Sequence, residues 1–525
     1  LRQDTHTAVS NKPENHEIEL KFLTTDSGFK SSQQWAALVE ETPRRNAQRL
    51  RTRYFDTENA DLARHNIALR VRKRGRVHIL TLKWTGSFAG GPFERGEIEA
   101  ISHTAEPDLA LLGPEYAGML AGLIQDRRLI PVYETDIRRT TRRVHSETSE
   151  IEAAFDTGYI LAAAQKIPVR EIELELKSGD PAELFRIGVE LATRYPMRLG
   201  MLAKSTRGMQ LRSGTAPKIV RATSQLAIPA AIGAPSVDEA IGAIINNCIG
   251  HFTSNFPAFE AGDAVNAIHQ MRVAMRRLRS ILNLFHRAFP CPEFEIFRVQ
   301  AKQIAAAMGA ARNWDVFLQL LRDGPAAAFP QETGFETIFL NAEQHREAGY
   351  AQVRALLAAP ETTCFILSLQ GFVARRGWRN VQAPDALLRL TEPAKHFAAA
   401  HLNRMHGKLL KKGKNLQELS PHARHSVRVG LKKIRYSADL FGGLFERRTQ
   451  LRDFERVTAK LQDQLGSYND LISAIELLAQ LDTSARSTNY AAGIIAGWCR
   501  HGATPDDEAL LRAWKKFQKA RLFSA

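Results

Sequence analysis

Six residues near the start of the sequence, Glu17-Ile18-Glu19-Leu20-Lys21-Phe22, alternate between charged and apolar side chains. On an extended strand successive side chains point to opposite faces. Glu17, Glu19 and Lys21 therefore share one face, and Ile18, Leu20 and Phe22 the other. The charged face reads acid, acid, base with no neutral residue between. Carboxylates are hard oxygen ligands for a divalent cation, and an ammonium beside them suits an anion. The stretch predicts a metal ion held next to an anion, with partners supplied from elsewhere in the chain.

The following residues repeat the pattern. Alternation and β-branched content predict strands over 17–23, 49–56, 68–74, 77–84, 93–100, 134–144, 149–156, 159–164 and 169–177. Helices are predicted over 32–41, 109–112, 117–123 and 182–193, the last with Asp180 as its N-cap. Nearly every strand has one charged face: Arg70, Arg72 and Arg74; Lys83; Glu97 and Glu99; Glu150, Glu152 and Asp156; Glu171, Glu173, Glu175 and Lys177. The opposite faces carry Leu69, Val71, Leu80, Leu82, Ile98, Ile151, Ile172, Leu174 and Leu176. A sandwich with solvated charges outside would mix in Ser, Thr, Gln and Asn, and like charges on facing strands cost stability. A barrel of about eight antiparallel strands, polar inside and apolar outside beneath helices, accounts for both faces. Its lumen would have a basic wall for phosphates and an acidic wall for a divalent metal.

Residues 213–235, with Pro217, Pro229, Gly233 and Pro235, read as a linker. From 236 to 520 the spacing is helical and no strand is evident, which predicts an all-α bundle. The chain is thus an α+β multidomain protein: residues 1–15 a disordered or tag-like N-terminus, 16–212 an eight-stranded antiparallel tunnel with flanking helices, and 236–520 a helical bundle. The bundle repeats itself. His269-Gln270-Met271-Arg272-Val273-Ala274-Met275-Arg276-Arg277-Leu278-Arg279 reappears as His425-Ser426-Val427-Arg428-Val429-Gly430-Leu431-Lys432-Lys433-Ile434-Arg435. Downstream, 308–313 is echoed by 465–470, so the bundle is read as two related halves, 236–385 and 386–520. On a helix, positions i, i+3, i+7 and i+10 fall within about 80° of one another. His269, Arg272, Arg276 and Arg279 form one cationic ridge, and His425, Arg428, Lys432 and Arg435 another. His401, Arg404 and Lys408 echo the spacing a third time. No acid interrupts these ridges, so an anion between them is expected.

Charge agrees with that division. Residues 1–212 hold 32 Lys+Arg against 29 Asp+Glu, and residues 213–525 hold 40 against 27. A basic field of this kind attracts polyanions. The ridges lack the aromatic residues that stack on bases, which argues against nucleic acid. They recognise phosphate and not base. No run of apolar residues is long enough to span a bilayer, and the polar first fifteen residues are not expected to be a secretory signal. Four cysteines without a C-x-x-C pair point to reduced thiols, a cytoplasmic setting and no zinc site. No P-loop is present.

Residues 17–212 resemble the CYTH, or triphosphate tunnel metalloenzyme, superfamily. The likeness rests on E-x-E-x-K at Glu17, Glu19 and Lys21, then in order Leu69-Arg70-Val71-Arg72, Thr81-Leu82-Lys83, Glu97-Ile98-Glu99, the Arg139 region, Glu150-Ile151-Glu152 with Asp156, Glu171-Ile172-Glu173-Leu174-Glu175, and Lys204-Ser205 with Arg207-Gly208. Residues 236–516 are similar to the CHAD, or conserved-histidine α-helical, domain through the signatures at His269 and at His425 to Tyr436. Asn313 departs from that pattern, which often has Asp. The resemblance implies a tunnel that binds a triphosphate with Mg2+ or Mn2+, and a groove for inorganic polyphosphate. It implies a catalytic set of Glu17, Glu19, Lys21, Lys83 and Arg139. Lys21, Arg70, Arg72, Lys83, Arg139, Lys204 and Arg207 would clamp phosphate. Glu17, Glu19, Glu97, Glu99, Glu152, Asp156, Glu173 and Glu175 would serve the metal. Polyphosphate would meet His269, Arg272, Arg276, Arg279, His401, Arg404, Lys408, His425, Arg428, Lys432, Lys433 and Arg435. Arg138, Arg139, Arg142 and Arg143 compete for one inward position. The activity implied is an inorganic triphosphatase acting on tripolyphosphate, in the cytoplasm or on polyphosphate granules. The alternatives are a polyphosphate-binding protein with little hydrolase activity and a class IV-type adenylate cyclase. Neither a sequence-specific nucleic acid nor a membrane is expected as a partner.

Overall fold

The computed structural model describes residues 15–35, 38–39, 47–84, 94–223, 234–445, 448–502 and 507–520. The chain divides into two compact units, Leu1–Pro217 and Lys218–Ala525. The first holds ten strands: β1 (Asn15–Thr24), β2 (Leu38–Val39), β3 (Ala47–Asp56), β4 (Ile67–Arg74), β5 (Val77–Trp84), β6 (Glu94–Ser102), β7 (Ile130–Val144), β8 (Ser149–Ala162), β9 (Gln165–Gly179) and β10 (Met197–Leu199). Antiparallel pairing runs β1-β6-β5-β4-β3-β7-β8-β9, and β9 pairs back onto β1. The ring is closed, so none of these strands presents a bare edge. The short β2 and β10 add to β7 and β1 outside the ring.

Alternation decides which face turns inward. Leu20, Phe22, Leu69, Val71, Leu80, Leu82, Ile151, Ile172 and Leu174 are buried. They lie on the outer face of the ring beneath short helices. Leu62 and Leu120 from those helices, and Leu112 from a 3-10 turn at Leu109–Leu112, join Leu69, Val71, Leu80 and Leu82 in one apolar cluster. Full burial of one such leucine is worth roughly 2 kcal/mol, so the wrapping holds the closed sheet with its charges inside. The helices are α1 (Asp26–Ser32), α2 (Asp61–Arg64), α3 (Pro114–Ile124), α4 (Pro181–Arg194) and α5 (Lys204–Ser213). Asp180 caps α4 by accepting from the Ala182 N–H, the cap its position suggested.

Three local expectations change. The helix expected over 32–41 lies earlier, as α1; Thr25 caps it by accepting from Gly28 N–H, and Leu38–Val39 is a strand. Residues 36–37 and 40–46 lie outside the described residues. The strands expected over 149–156 and 159–164 are one continuous strand, β8. Helix α5 had no counterpart in the sequence reading, because its periodicity is weak: only Gly208 of it is buried.

The second unit is helical: α6 (Val237–Thr253), α7 (Phe256–Glu260), α8 (Ala264–Ala288), α9 (Pro292–Asp323), α10 (Pro325–Ala328), α11 (Gly334–Ala358), α12 (Pro360–Ala374), α13 (Pro384–Leu390), α14 (Ala394–Lys412), α15 (Pro421–Phe441), α16 (Arg448–Leu478), α17 (Arg486–Gly502) and α18 (Asp507–Gln518). The two basic signatures lie on α8 and α15, and the downstream echo on α9 and α16. Arg277 is fully buried and pairs with Asp439 at 2.8 Å, tying α8 to α15. Ser236 and Glu239 form a capping box at the start of α6. Part of the expected linker belongs to this unit: Asn255 exchanges hydrogen bonds with the Val220 backbone, and Arg277 donates to the Thr223 carbonyl. None of the four cysteines forms a disulfide. Among the described residues no single helix is long and apolar enough to cross a membrane.

Candidate functional sites in the tunnel and the groove

Strand register builds the tunnel site. Glu19 of β1 stands opposite Glu175 of β9, which stands opposite Glu152 of β8. One step deeper, Lys21 stands opposite Glu173. One step further, Glu171 stands opposite Asp156, which stands opposite Arg139 of β7. Across the lumen Arg70 of β4 faces Thr81 of β5, and Lys83 of β5 faces Glu97 of β6. All of these side chains but Glu171 and Thr81 line one cavity of about 350 Å³, with Arg72, Glu99, Lys177 and Lys204. Glu17 occupies β1 two residues before Glu19; its side chain lies outside the described residues.

Cations and carboxylates are interleaved on these walls. Lys21 Nζ is 3.1 Å from Glu173 and 3.7 Å from Glu19. Lys83 is 3.0 Å from Glu97. Arg70 reaches Glu97 at 3.3 Å and Glu99 at 3.9 Å. Arg139 grips Asp156 with two nitrogens at 2.7 and 2.6 Å and reaches Glu173 at 2.5 Å. Lys204, at the first turn of α5, meets Asp156 at 2.7 Å, Glu173 at 3.0 Å and also Glu171. Arg207 sits behind the cavity wall and holds the fully buried Glu171 at 2.5 Å.

Burial works against charge here, yet the ion pairs overcome it. Lys204, Lys21 and Arg139 hold Glu173 well below the usual carboxylate range despite its desolvation. Lys204 and Arg139 lower Asp156 against its burial. Burial also opposes the charge on Lys204, but Glu171, Glu173 and Asp156 raise its pKa. Arg72 goes the other way: neighbouring Arg70, then burial, push it down to about 10. Glu175 is raised by burial, which Lys177 only partly offsets.

The structure places Arg139 inward out of the four competing arginines. Arg138 and Arg143 are exposed. Two carboxylates expected to serve the metal, Asp156 and Glu173, are instead engaged by Arg139, Lys204 and Lys21. Asp156, Glu171 and Glu173 do bring carboxylate oxygens within 4.8 Å of one another. That cluster is already neutralised by buried ammonium and guanidinium groups. The in-register row Glu19, Glu175 and Glu152 fits a hard divalent ion better. It offers only oxygen donors, which suit magnesium, manganese or calcium over zinc or copper.

The second site lies between the two repeated helices. His269, Arg272 and Arg276 of α8, Arg312 and Asn313 of α9, and Arg428 and Lys432 of α15 line a cavity of about 360 Å³ with Ser473 and Leu477 of α16. Arg272 Nη1 is buried and has no hydrogen-bond partner among the described residues. Burial, then Arg276 and Arg312, lower the Arg272 pKa to about 10. The space for this guanidinium comes from Gly309: a Cβ there would lie 2.6 Å from Arg272 Nη1.

The family model of the CYTH domain matches residues 15–209, and that of the CHAD domain matches residues 243–479. The chain carries a CYTH domain followed by a CHAD domain. It is 32% identical over 167 residues to an inorganic triphosphatase of Haemophilus influenzae, covering 30% of this chain and 45% of that protein. It is 26% identical over 321 residues to an uncharacterized protein of Mycobacterium tuberculosis, covering 58% of this chain and 59% of that one. The chain thus spans about half the length of these curated relatives. Among solved structures it resembles the CHAD domain of the plant Ricinus communis, with a TM-score of 0.47 and 24% identity over 59% of this chain and 98% of that one.

Not every expected CHAD residue reaches the groove. Arg279, His401, Arg404, Lys408, His425, Lys433 and Arg435 are not among its lining residues. His401 is a packing residue, set against Phe397 and Phe441, and burial pushes its pKa down to about 4. Arg435 donates to Gln462 at 3.2 Å. Lys433 lies near Arg287, Lys412, Arg279 and Arg298 and is held down by burial and by those cations. The α8 ridge turns out of the groove after Arg276, since an 80° arc is wider than the seam between two packed helices. Arg312 was missed as a groove residue, although it lies in the 308–313 echo. In the CYTH tunnel Tyr54 and Thr52 were missed. Thr52 accepts from Arg72 Nε at 3.2 Å. The Tyr54 ring is stacked on Tyr133 at 4.5 Å, and its hydroxyl bonds Arg70. Gly208 of α5 lets that helix approach, since a Cβ there would meet the Tyr133 ring at 2.3 Å.

Proposed function

We propose that the CYTH tunnel hydrolyses tripolyphosphate to pyrophosphate and phosphate with Mg2+ or Mn2+, and that the CHAD groove binds inorganic polyphosphate. The observation that carries this is the pairing within one cavity of a cationic set, Lys21, Arg70, Arg72, Lys83, Arg139 and Lys204, with the in-register carboxylate row Glu19, Glu175 and Glu152. The cations would bind the non-bridging phosphate oxygens and orient the chain along the lumen. Glu19, Glu152 and Glu175, with Glu17 beside them in sequence, would hold the divalent ion. That ion, when bound, neutralises charge on the transferring phosphoryl group and polarises the attacking water. A terminal P–O bond breaks as a water oxygen–phosphorus bond forms, and the water proton passes to solvent or to a tunnel carboxylate. Phosphoryl transfer needs positioning and charge stabilisation more than covalent help, and the walls supply both. Paired cations and acids keep the unliganded tunnel close to neutral. In the groove, a lining whose described charged residues are all cationic supports binding of a polyanion.

A substrate panel of tripolyphosphate, long-chain polyphosphate, ATP and thiamine triphosphate with Mg2+ or Mn2+ tests the reading. Phosphate release from tripolyphosphate, abolished in Glu19→Ala and Lys21→Ala, is expected. Cyclic AMP from ATP, or retained activity in both variants, would refute it.

A further inference from the structure

Lys177 belongs to neither the clamp nor the metal set, yet it lines the tunnel. It follows Glu173 and Glu175 on the same face of β9 and ends that strand's charged run beside Glu175, the middle member of the carboxylate row. Its Nζ is 2.5 Å from Glu175 and 3.9 Å from Glu152. The row is electrostatically awkward on its own. Glu19, Glu175 and Glu152 are directly opposed across three neighbouring strands, which sit under 5 Å apart. Like charges opposed in this way are destabilising. Lys177 is the ammonium that bridges two of the three. It is also the loosest of the tunnel cations: its side chain is 37% exposed, against 5% for Lys21, 12% for Lys204 and 21% for Lys83. An ammonium on a flexible four-carbon stem with access to water can leave at small desolvation cost. Lys21 and Lys204 cannot, being enclosed by several carboxylates each.

We propose that Lys177 is a tethered counter-ion that holds Glu175 and Glu152 together in the metal-free tunnel and competes with the divalent ion for them, so that it sets the tunnel's metal affinity. This rests on the reading of Glu19, Glu152 and Glu175 as metal ligands. It gives Lys177 a role opposite to that of the other tunnel cations: they gain by substrate binding, whereas Lys177 must be displaced before the metal is held.

The test is a titration of the full chain with MnCl2 alone, with no phosphate substrate, at pH 8, followed by calorimetry and by the paramagnetic resonance signal of free Mn2+. Lys177→Gln is expected to bind Mn2+ about fivefold more tightly than wild type, the scale of one partly exposed ion pair. Lys177→Arg, which keeps the cation, is expected to bind no more tightly than wild type. In EDTA, Lys177→Gln should melt at a lower temperature than wild type, and saturating Mn2+ should close the gap. Equal or weaker Mn2+ binding by Lys177→Gln overturns the inference while leaving the metal reading intact. No Mn2+ binding by the wild type overturns both. Weaker tripolyphosphate binding in EDTA with unchanged Mn2+ affinity would make Lys177 one more phosphate clamp instead, and so also overturns it.

Discussion

The CYTH tunnel and the CHAD groove are both lined by arginine and lysine, but they keep their cations in different company. In the tunnel Lys21, Arg70, Lys83, Arg139 and Lys204 each have a carboxylate within 3.3 Å. Lys204 alone touches three. In the groove His269, Arg272, Arg276, Arg312, Arg428 and Lys432 converge with no acid among the described lining residues, and Asp315 reaches Arg312 at 3.7 Å from outside that lining. The sheet makes the first arrangement natural: side chains from adjacent strands stand side by side, so opposite charges alternate cheaply in register. The helix pair makes the second natural, since each helix contributes a single-sign ridge. Mixed charge suits a site that must hold a metal and release a short anion. Single-sign charge suits one that holds a long anion by field alone.

The largest effect that separates the two sites is on turnover. Glu19→Ala is expected to lower metal-dependent phosphate release from tripolyphosphate by about 10³-fold, the scale of a lost electrostatic contributor in a water-poor site. Binding of long-chain polyphosphate, read by fluorescence polarisation, should stay within twofold. Parallel loss of both would mean that one site serves both ligands.

Next in size is stability. Lys204→Met leaves Asp156 and Glu171, both fully buried, with one fewer cation. Breaking a buried ion pair from one side costs about 3 kcal/mol or more, visible in urea unfolding of the first unit. Arg272→Ala should do the reverse or nothing, within about 1 kcal/mol, because it relieves repulsion from Arg276 and Arg312. Comparable losses in both variants would dissolve the contrast.

How far the sequence disclosed these sites depends on the element. A strand's two-residue period assigns a face without ambiguity, so Glu19, Lys21, Arg70, Lys83, Glu173 and Glu175 could be placed inside from spacing alone. Ring closure between β9 and β1 could not, as it pairs residues 18–23 with residues 171–176. The choice of Arg139 over its neighbours needed register, because four arginines in six residues supply both faces. Helical period is less decisive. It gave the two ridges, but not where the neighbouring helix ends, and so Arg279 and Arg435 were grouped with residues they part from. His401 repeats the spacing of the groove histidine and is packed against phenylalanines. Its chemistry was set by Phe397 and Phe441, which its own period does not report. Helix α5 stayed hidden because ion pairs, not an apolar stripe, hold its first turn.

Salt should separate the sites next. A polyanion held by several cations with few acids beside them loses affinity steeply as salt rises; by analogy with nucleic-acid binders, about a hundredfold between 50 and 200 mM. The tunnel cations are buried and locally paired, and buried pairs are screened less. The KM for tripolyphosphate should therefore shift by no more than about threefold over the same range. Equal slopes would show that the tunnel mouth, and not its interior, controls substrate binding.

The smallest expected effect concerns acid. His251 is buried on α6, its Nε2 3.1 Å from Gln270 Oε1. Burial, then Arg277, pushes its pKa down to about 4, and burial does the same to His401. A neutral imidazole in the folded chain meets an unfolded chain whose histidines titrate near 6.5. Between those values the unfolded state binds more protons, so stability falls as pH falls through that window and is whole above it. The depressed carboxylates Asp156 and Glu173 act lower on the scale: their contribution is complete above the ordinary carboxylate range and is lost only beneath it. Lowering the pH from 7 to 5 should therefore loosen the CHAD domain by on the order of 1 to 2 kcal/mol per histidine, while the tunnel holds. Hydrogen exchange of peptides from each unit checks this, and His251→Gln should flatten the response of the helical unit. Earlier loosening of the tunnel would mean that its ion-pair network, for all its buried partners, is the more fragile of the two ways of holding clustered cations.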